Sequence, residues 1–138
     1  MNPAFWGPHA WIFLHSITMN YPKNPTEKDK QIYFDFFNQL KDILPCQKCA
    51  HHYGEHIKKH PINTALESRD SMIRWLIQIH NEVNEDLGKP QLSYEEVIQE
   101  YQNKFANLGT DPTIIYKVAI IILISIIIFM IYKKKNIF

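Results

Sequence analysis

Residues Ile114 to Tyr132 are almost wholly Ile, Leu, Val, Phe and Met, with Lys117 and Ser125 the strongly polar members. As a helix rising about 1.5 Å per residue, such a run crosses a hydrocarbon layer of ~30 Å. A chain of 138 residues builds one domain of modest core, and that core cannot cover a helix apolar on every face. The run is therefore predicted to be a transmembrane helix over 114–132, with Lys117 near one end where its stem can snorkel. A basic tail over 133–138 opens with Lys133, Lys134 and Lys135. Residues 1–108 remain as the folded domain, with 109–113 as a linker. The N-terminal residues lack the basic and apolar regions of a secretory signal, and Pro3, Pro8 and His9 interrupt the apolar candidate. A single-pass C-terminal anchor in a membrane, with the body facing the cytosol, is the expectation; the positive-inside rule applied to Lys133–Lys135 argues the other way.

With the tail set aside, the +1 formal charge conceals an acidic body. Lys117 and Lys133–Lys135 account for four of the fifteen basic residues, leaving eleven against fourteen acidic ones. No basic cluster there can neutralise a run of phosphates, so no nucleic-acid partner is expected.

Periodicity between Pro3 and Gly109 is helical, with no alternating strand pattern and no glycine-rich phosphate loop. A first helix is predicted over Pro8–Met19, opened by Pro8 at a first-turn position. A second covers Thr26–Leu44, capped by Thr26, with Ile32, Phe36, Phe37, Leu40, Ile43 and Leu44 as its apolar stripe. The third carries the cysteines and runs to about Lys59 before His60-Pro61. The fourth, Ser68–Leu87, repeats Met72, Ile73, Leu76, Ile79, Val83 and Leu87, then stops at Gly88. A fifth starts at Ser93 with Glu96 completing a capping box and fades near Asn107.

Cys46 and Cys49 are the whole cysteine complement, so no disulfide framework holds this fold. Pro45 and Cys46 sit where a helix begins, and free amide groups with the helix dipole favour a Cys46 thiolate; Lys48 adds positive charge. Three other readings stand beside a redox pair. Two buried structural thiols are one. A zinc finger is another, but it needs about a dozen residues between its Cys and His pairs, whereas His52 follows Cys49 by three. A thioredoxin motif needs a βαβ setting that this sequence lacks. His52, His56 and His60, at four-residue steps, are predicted to form a solvated helix face, and no metal ligand is assigned. A dithiol moves two electrons, and with no other cysteine in the chain an organic cofactor is the natural acceptor.

Two further constellations bear on that cofactor. Trp11 and His15 lie one turn apart, as a stacking ring and a hydrogen-bonding imidazole would in a flat pocket. His80 and Asn84 share a face of the fourth helix and require a polar partner there. Lys89, just beyond the helix end, is a reasonable phosphate contact.

In order, W-x-x-x-H in the first helix, P-C-x-x-C, and W-L-x-x-x-H-N-x-V-N-x-x-L-G-K-P over Trp75–Pro90 resemble the Erv/ALR family of FAD-linked sulfhydryl oxidases, over about residues 5 to 101. The opening Phe-Trp-Gly-Pro-His-Ala-Trp looks most like the versions of large double-stranded DNA viruses. The resemblance implies an all-α fold, a four-helix bundle with a short fifth helix and FAD at the bundle mouth, commonly as a homodimer. It places Gly7, Trp11 and His15 in the flavin pocket, and His80, Asn81, Val83, Asn84 and Lys89 around the adenine, ribose and phosphates. Tyr101 is a stacking candidate. It also implies oxidation of protein thiols through Cys46–Cys49 and FAD to O2, with release of H2O2, the client attacking Cys46 and Cys49 lying nearer the flavin.

Departures from the family pattern carry implications of their own. Many relatives join the third and fourth helices by a second disulfide; Ile57 and Ile77 stand near those positions, so apolar packing replaces the cross-link and stability leans on FAD occupancy. No shuttle cysteine pair is present, so the client must reach Cys46 directly, and a small thioredoxin-like carrier fits that requirement. Glu100 falls where a basic residue is common, and Asn20 where an aromatic is. A membrane-tethered zinc-binding or scaffold protein, and a binding module that has kept the fold without catalysis, are the rival functions.

Overall fold

The computed structural model describes residues 1–108 and 112–135. Among these, every regular element is helical: α1 (Pro3–Met19), α2 (Glu27–Ile43), α3 (Gln47–Lys59), a single 3-10 turn (Ile62–Thr64), α4 (Arg69–Asp86), α5 (Tyr94–Leu108) and α6 (Pro112–Lys135). The chain divides into two compact units, residues 1–97 and 98–138.

Local chemistry sets most of the helix starts. Thr26 and Asp29 cap α2 reciprocally: Thr26 Oγ1 accepts the Asp29 N–H at 3.2 Å and Asp29 Oδ2 accepts the Thr26 N–H at 2.9 Å. Ser68 and Ser71 repeat the device on α4, and Ser93 with Glu96 does so on α5. The start of α1 corrects the sequence expectation. Asn2 is its cap, accepting the Ala4 N–H at 2.9 Å, and Pro3 takes the first-turn position. Pro8 instead lies inside the helix, where its missing N–H costs one backbone bond.

In the first unit α1 packs on α4, α2 on α3 and α3 on α4. Phe37 and Leu40 of α2, Tyr53 and Ile57 of α3, Met72, Trp75, Leu76 and Ile79 of α4, and Leu14 of α1 share one core. The predicted stripes are too wide. Ile32 (52% exposed), Ile43 (68%) and Leu87 (60%) face out: Ile32 and Ile43 lie at one edge of the α2 stripe, beside the Tyr33, Phe37, Leu40 and Leu44 line that packs in the core, and Leu87 lies past the last turn of α4. Ile77 was absent from the predicted stripe of α4 yet is buried, and so is Trp75, because α4 has neighbours on two sides. The Trp75 indole N–H donates to the His60 carbonyl at 2.8 Å and its ring meets Phe37 edge-on at 5.1 Å. Tyr21 closes the layer beneath, its hydroxyl donating to the Leu66 carbonyl at 2.7 Å.

In the second unit, α6 has one window, Thr113–Met130, long and apolar enough to cross a membrane, with a mean hydropathy of 2.7. The glycine, threonine and aspartate of the expected linker (109–111) and the last three residues of the expected tail (136–138) lie outside the described residues.

Gly88 ends α4 with φ +63°, and nothing lies within 4 Å of where a Cβ would sit. Gly88→Ala therefore meets no clash and carries only the left-handed backbone cost of about 1–2 kcal/mol. The unfolding free energy obtained from urea titration is expected to fall by that amount, with an unchanged slope.

Candidate functional site

Cys46 and Cys49 are joined as a disulfide with Cα atoms 5.2 Å apart. Cys46 is the N-cap of α3, and its Sγ accepts the Cys49 N–H at 3.2 Å. The first sulfur of the pair thus lies among the unpaired amides of a helix start, where negative charge is favoured. Both cysteines are half-buried and Lys48 between them is exposed.

The second cluster forms where α1 crosses α4. Trp11 stacks on His80 with ring centroids 3.8 Å apart and planes within 7°. His15, 1% exposed, places Nε2 3.1 Å from His80 Nδ1, so one imidazole donates and the other accepts. Trp11 and His15, one turn apart on α1, are brought together with the sequence-distant His80 as one polar and aromatic cluster at the α1–α4 contact.

Asn81 and Asn84 hold the turn that follows α4. Asn81 Oδ1 accepts the Leu92 N–H at 2.8 Å while its Nδ2 donates to the Leu92 carbonyl at 2.9 Å, as a neighbouring strand would. Asn84 Nδ2 donates to the Pro90 carbonyl at 3.1 Å, and its own carbonyl accepts the Lys89 N–H at 2.8 Å. Lys89 is exposed beside Gly88, and Val83 is half-buried on α4. Tyr101 belongs to the second unit, its ring 6.2 Å from Phe105 with Lys104 Nζ 5.2 Å from its centroid.

Two observations bear on whether these residues fit FAD. Trp6 Nε1 is a buried donor with no acceptor among the described residues. The neighbouring Gly7 has nothing within 4 Å of its absent Cβ, leaving the start of α1 open to a ligand's approach. With the aromatic cluster of α1 and α4 and the Lys89 ammonium, the donor set suits a flat heteroaromatic ligand carrying phosphates.

The predicted solvated face of α3 is overturned. His56 is buried and places Nε2 3.0 Å from Asp86 Oδ2, which also lies 2.9 Å from His52 Nδ1. His60 Nε2 lies 2.7 Å from Glu82 Oε1, and Lys59 Nζ 2.8 Å from the same carboxylate. These acids were missed as partners although they carried a signal: Glu82 and Asp86 are one turn apart, the same step as the three histidines, so the two series mesh when α3 packs on α4. Hydrogen bonding by Lys59, then by His60, holds the Glu82 carboxyl below its usual range, and His52 does the same for Asp86 with His56 adding to it.

Residues 8–103 match the Erv1/Alr family. A probable FAD-linked sulfhydryl oxidase of Acanthamoeba polyphaga mimivirus is 44% identical over 100 residues, covering 72% of this chain and 70% of that protein. A putative FAD-linked sulfhydryl oxidase of invertebrate iridescent virus 3 is 30% identical over 105 residues, 76% and 71% of the two chains. Among solved structures, the FAD binding domain of Erv1 from Saccharomyces cerevisiae superposes with a TM-score of 0.64 at 33% identity, over 67% of this chain and 87% of that one.

Because folding depresses both acid pKa values, these contacts stabilise the native state above the ordinary values of 4.5 for Glu82 and 3.8 for Asp86, and their contribution is lost as pH falls through the lower folded values. Urea midpoints measured from pH 7 down to pH 3 are expected to drop over that acid range. In Glu82→Gln the drop should be shallower, from a lower starting stability.

Proposed function

The chain belongs to the Erv1/Alr family, and from that premise we propose that it is an FAD-dependent sulfhydryl oxidase working through Cys46 and Cys49. The observation that carries this reading is a half-buried disulfide at a helix N-terminus, in a fold shared with an FAD binding domain. The net reaction couples two protein thiols and O2 to one disulfide and H2O2.

A client thiolate attacks Cys46 Sγ; the Cys46–Cys49 bond breaks and Cys49 leaves as a thiolate. A second client thiolate then attacks the client sulfur of the mixed disulfide, releasing oxidised client and a Cys46 thiolate. The Cys49 N–H and the α3 dipole receive that charge. Two electrons now reside on the cysteine pair. The chemistry that FAD supplies when bound is two-electron acceptance from this pair and delivery to O2. Gly7, Trp11, His15, His80, Asn81, Val83, Asn84 and Lys89 are the residues that would hold it: the Trp11–His80 pair offers aromatic surface, the side chains of Asn81 and Asn84 hold the turn that carries Lys89, and the Lys89 ammonium would answer phosphate charge.

Residues 1–108 are proposed as the oxidase domain, with α1 to α4 as a four-helix bundle, which the α1–α4, α2–α3 and α3–α4 packings support, and with the short fifth helix that the family pattern implies. Residues 109–113 link it to a transmembrane helix at 114–132 with a basic tail at 133–138, a single-pass anchor in a viral or host internal membrane with the body toward the cytosol. The exposed apolar window of α6 supports the anchor. Phe5 (74% exposed), Ile12 (41%) and Phe13 (60%) occupy one face of α1 and favour burial against a second copy as a homodimer. With no second cysteine pair in the chain, the client is a protein able to reach Cys46 itself, and a thioredoxin-like carrier suits it.

Purified chain is expected to be yellow and to consume O2 with dithiothreitol. Cys49→Ser is expected to keep the flavin absorbance and to lose turnover by at least a hundredfold. A colourless, folded, inactive native chain overturns the oxidase reading; full turnover in Cys49→Ser overturns the electron route.

A further inference from the structure

The seam between α3 and the end of α4 holds a side-chain cluster that thiol oxidation does not use. His52, His56 and Asp86 each offer one metal-ligating atom, and these atoms all lie within 4.8 Å of one another. Asp86 Oδ2 is 2.9 Å from His52 Nδ1 and 3.0 Å from His56 Nε2. Ligands about 2.0–2.1 Å from a tetrahedral zinc stand roughly 3.3 Å apart, so small side-chain shifts admit an ion. Two histidines one turn apart on one helix and a carboxylate from another form a two-His, one-carboxylate set with a position left for water.

A second carboxylate stands close to the far side of the His56 ring. If His56 ligates through Nε2, its proton must sit on Nδ1, and Nδ1 faces Glu82 Oε2 at 3.7 Å. That separation is beyond a direct hydrogen bond, and a small shift of the imidazole toward the carboxylate on metal binding would complete the carboxylate–histidine–metal relation that orients a ligating ring. Glu82 is itself fixed by Lys59 and His60. The His56 side chain is only 10% exposed, while His52 and Asp86 are more than one-third exposed and give an ion an entry path.

We propose that His52, His56 and Asp86 form a zinc site that clamps α3, the helix bearing the cysteines, to the C-terminal end of α4. It stands independently of the oxidase reading.

The test uses the full chain in detergent, FAD-loaded and fully oxidised so that no thiol competes, first stripped with EDTA. Titration with zinc chloride, followed by calorimetry, is expected to show one equivalent taken up at micromolar concentration or below and a raised thermal midpoint. Cobalt(II) in its place should give the intense visible absorption of a tetrahedral site. His56→Ala and His52→Ala are each expected to weaken binding more than a hundredfold, and Glu82→Gln at least tenfold, while His9→Ala leaves it unchanged. If His56→Ala fails to fold, the more exposed His52→Ala gives the same reading. No stoichiometric uptake by the native chain, or uptake that His52→Ala leaves intact, overturns the proposal.

Discussion

The register of α4 is the constraint on which the rest of the first unit depends. Met72, Leu76 and Ile79 are fully buried, and the helix has α1 on one side and α3 on another. Sliding it by one residue would rotate each polar group by about 100° away from its partner. His80 would leave Trp11 and His15, Asn81 would leave Leu92, and Glu82 with Asp86 would leave the α3 histidines. Apolar burial fixes the helix, and the polar contacts are consequences that follow from its placement. Burial of three such side chains contributes roughly 1.5–3 kcal/mol each, more than the seam's partly exposed ion pairs are worth.

That hierarchy explains what was legible in the sequence. Caps are local, so Thr26 and the Ser93–Glu96 box could be read from the residues at a helix start, and Gly88 from its position after a periodic run, whereas Ser68, expected as the first helical residue, is the cap of α4. The start of α1 was misplaced because Pro3 and Pro8 both carry a first-turn signal, and only Asn2 ahead of Pro3 decides between them. Ile32, Ile43 and Leu87 followed the helical period yet face out, since periodicity marks a broad face but neither where the neighbour's edge falls across it nor where the helix ends.

The candidate site divides the same way. The cysteine pair was legible from spacing and from Pro45, and the structure adds that Cys46 is itself the cap. The grouping of Trp11, His15 and His80 depended on how α1 crosses α4, which no local rule supplies. The side chains of Asn81 and Asn84 turned out to hold backbone of the following turn, a pairing that spacing alone did not reveal. The α3 histidines were read as solvated because their four-residue step is the pattern of any helix edge. Their acidic partners lie more than twenty residues away, and only helix packing brings them within reach.

The placement of Cys46 has a consequence for how the molecule moves during turnover. In most proteins, severing a cross-link frees two chain segments and invites fraying at the break. Here the residue that carries the reactive sulfur is also the one that begins α3, and the amide it accepts belongs to its own partner cysteine. An anionic sulfur is the stronger acceptor of the two redox forms. A Cys46 thiolate therefore keeps the start of α3 capped when the covalent tie is absent.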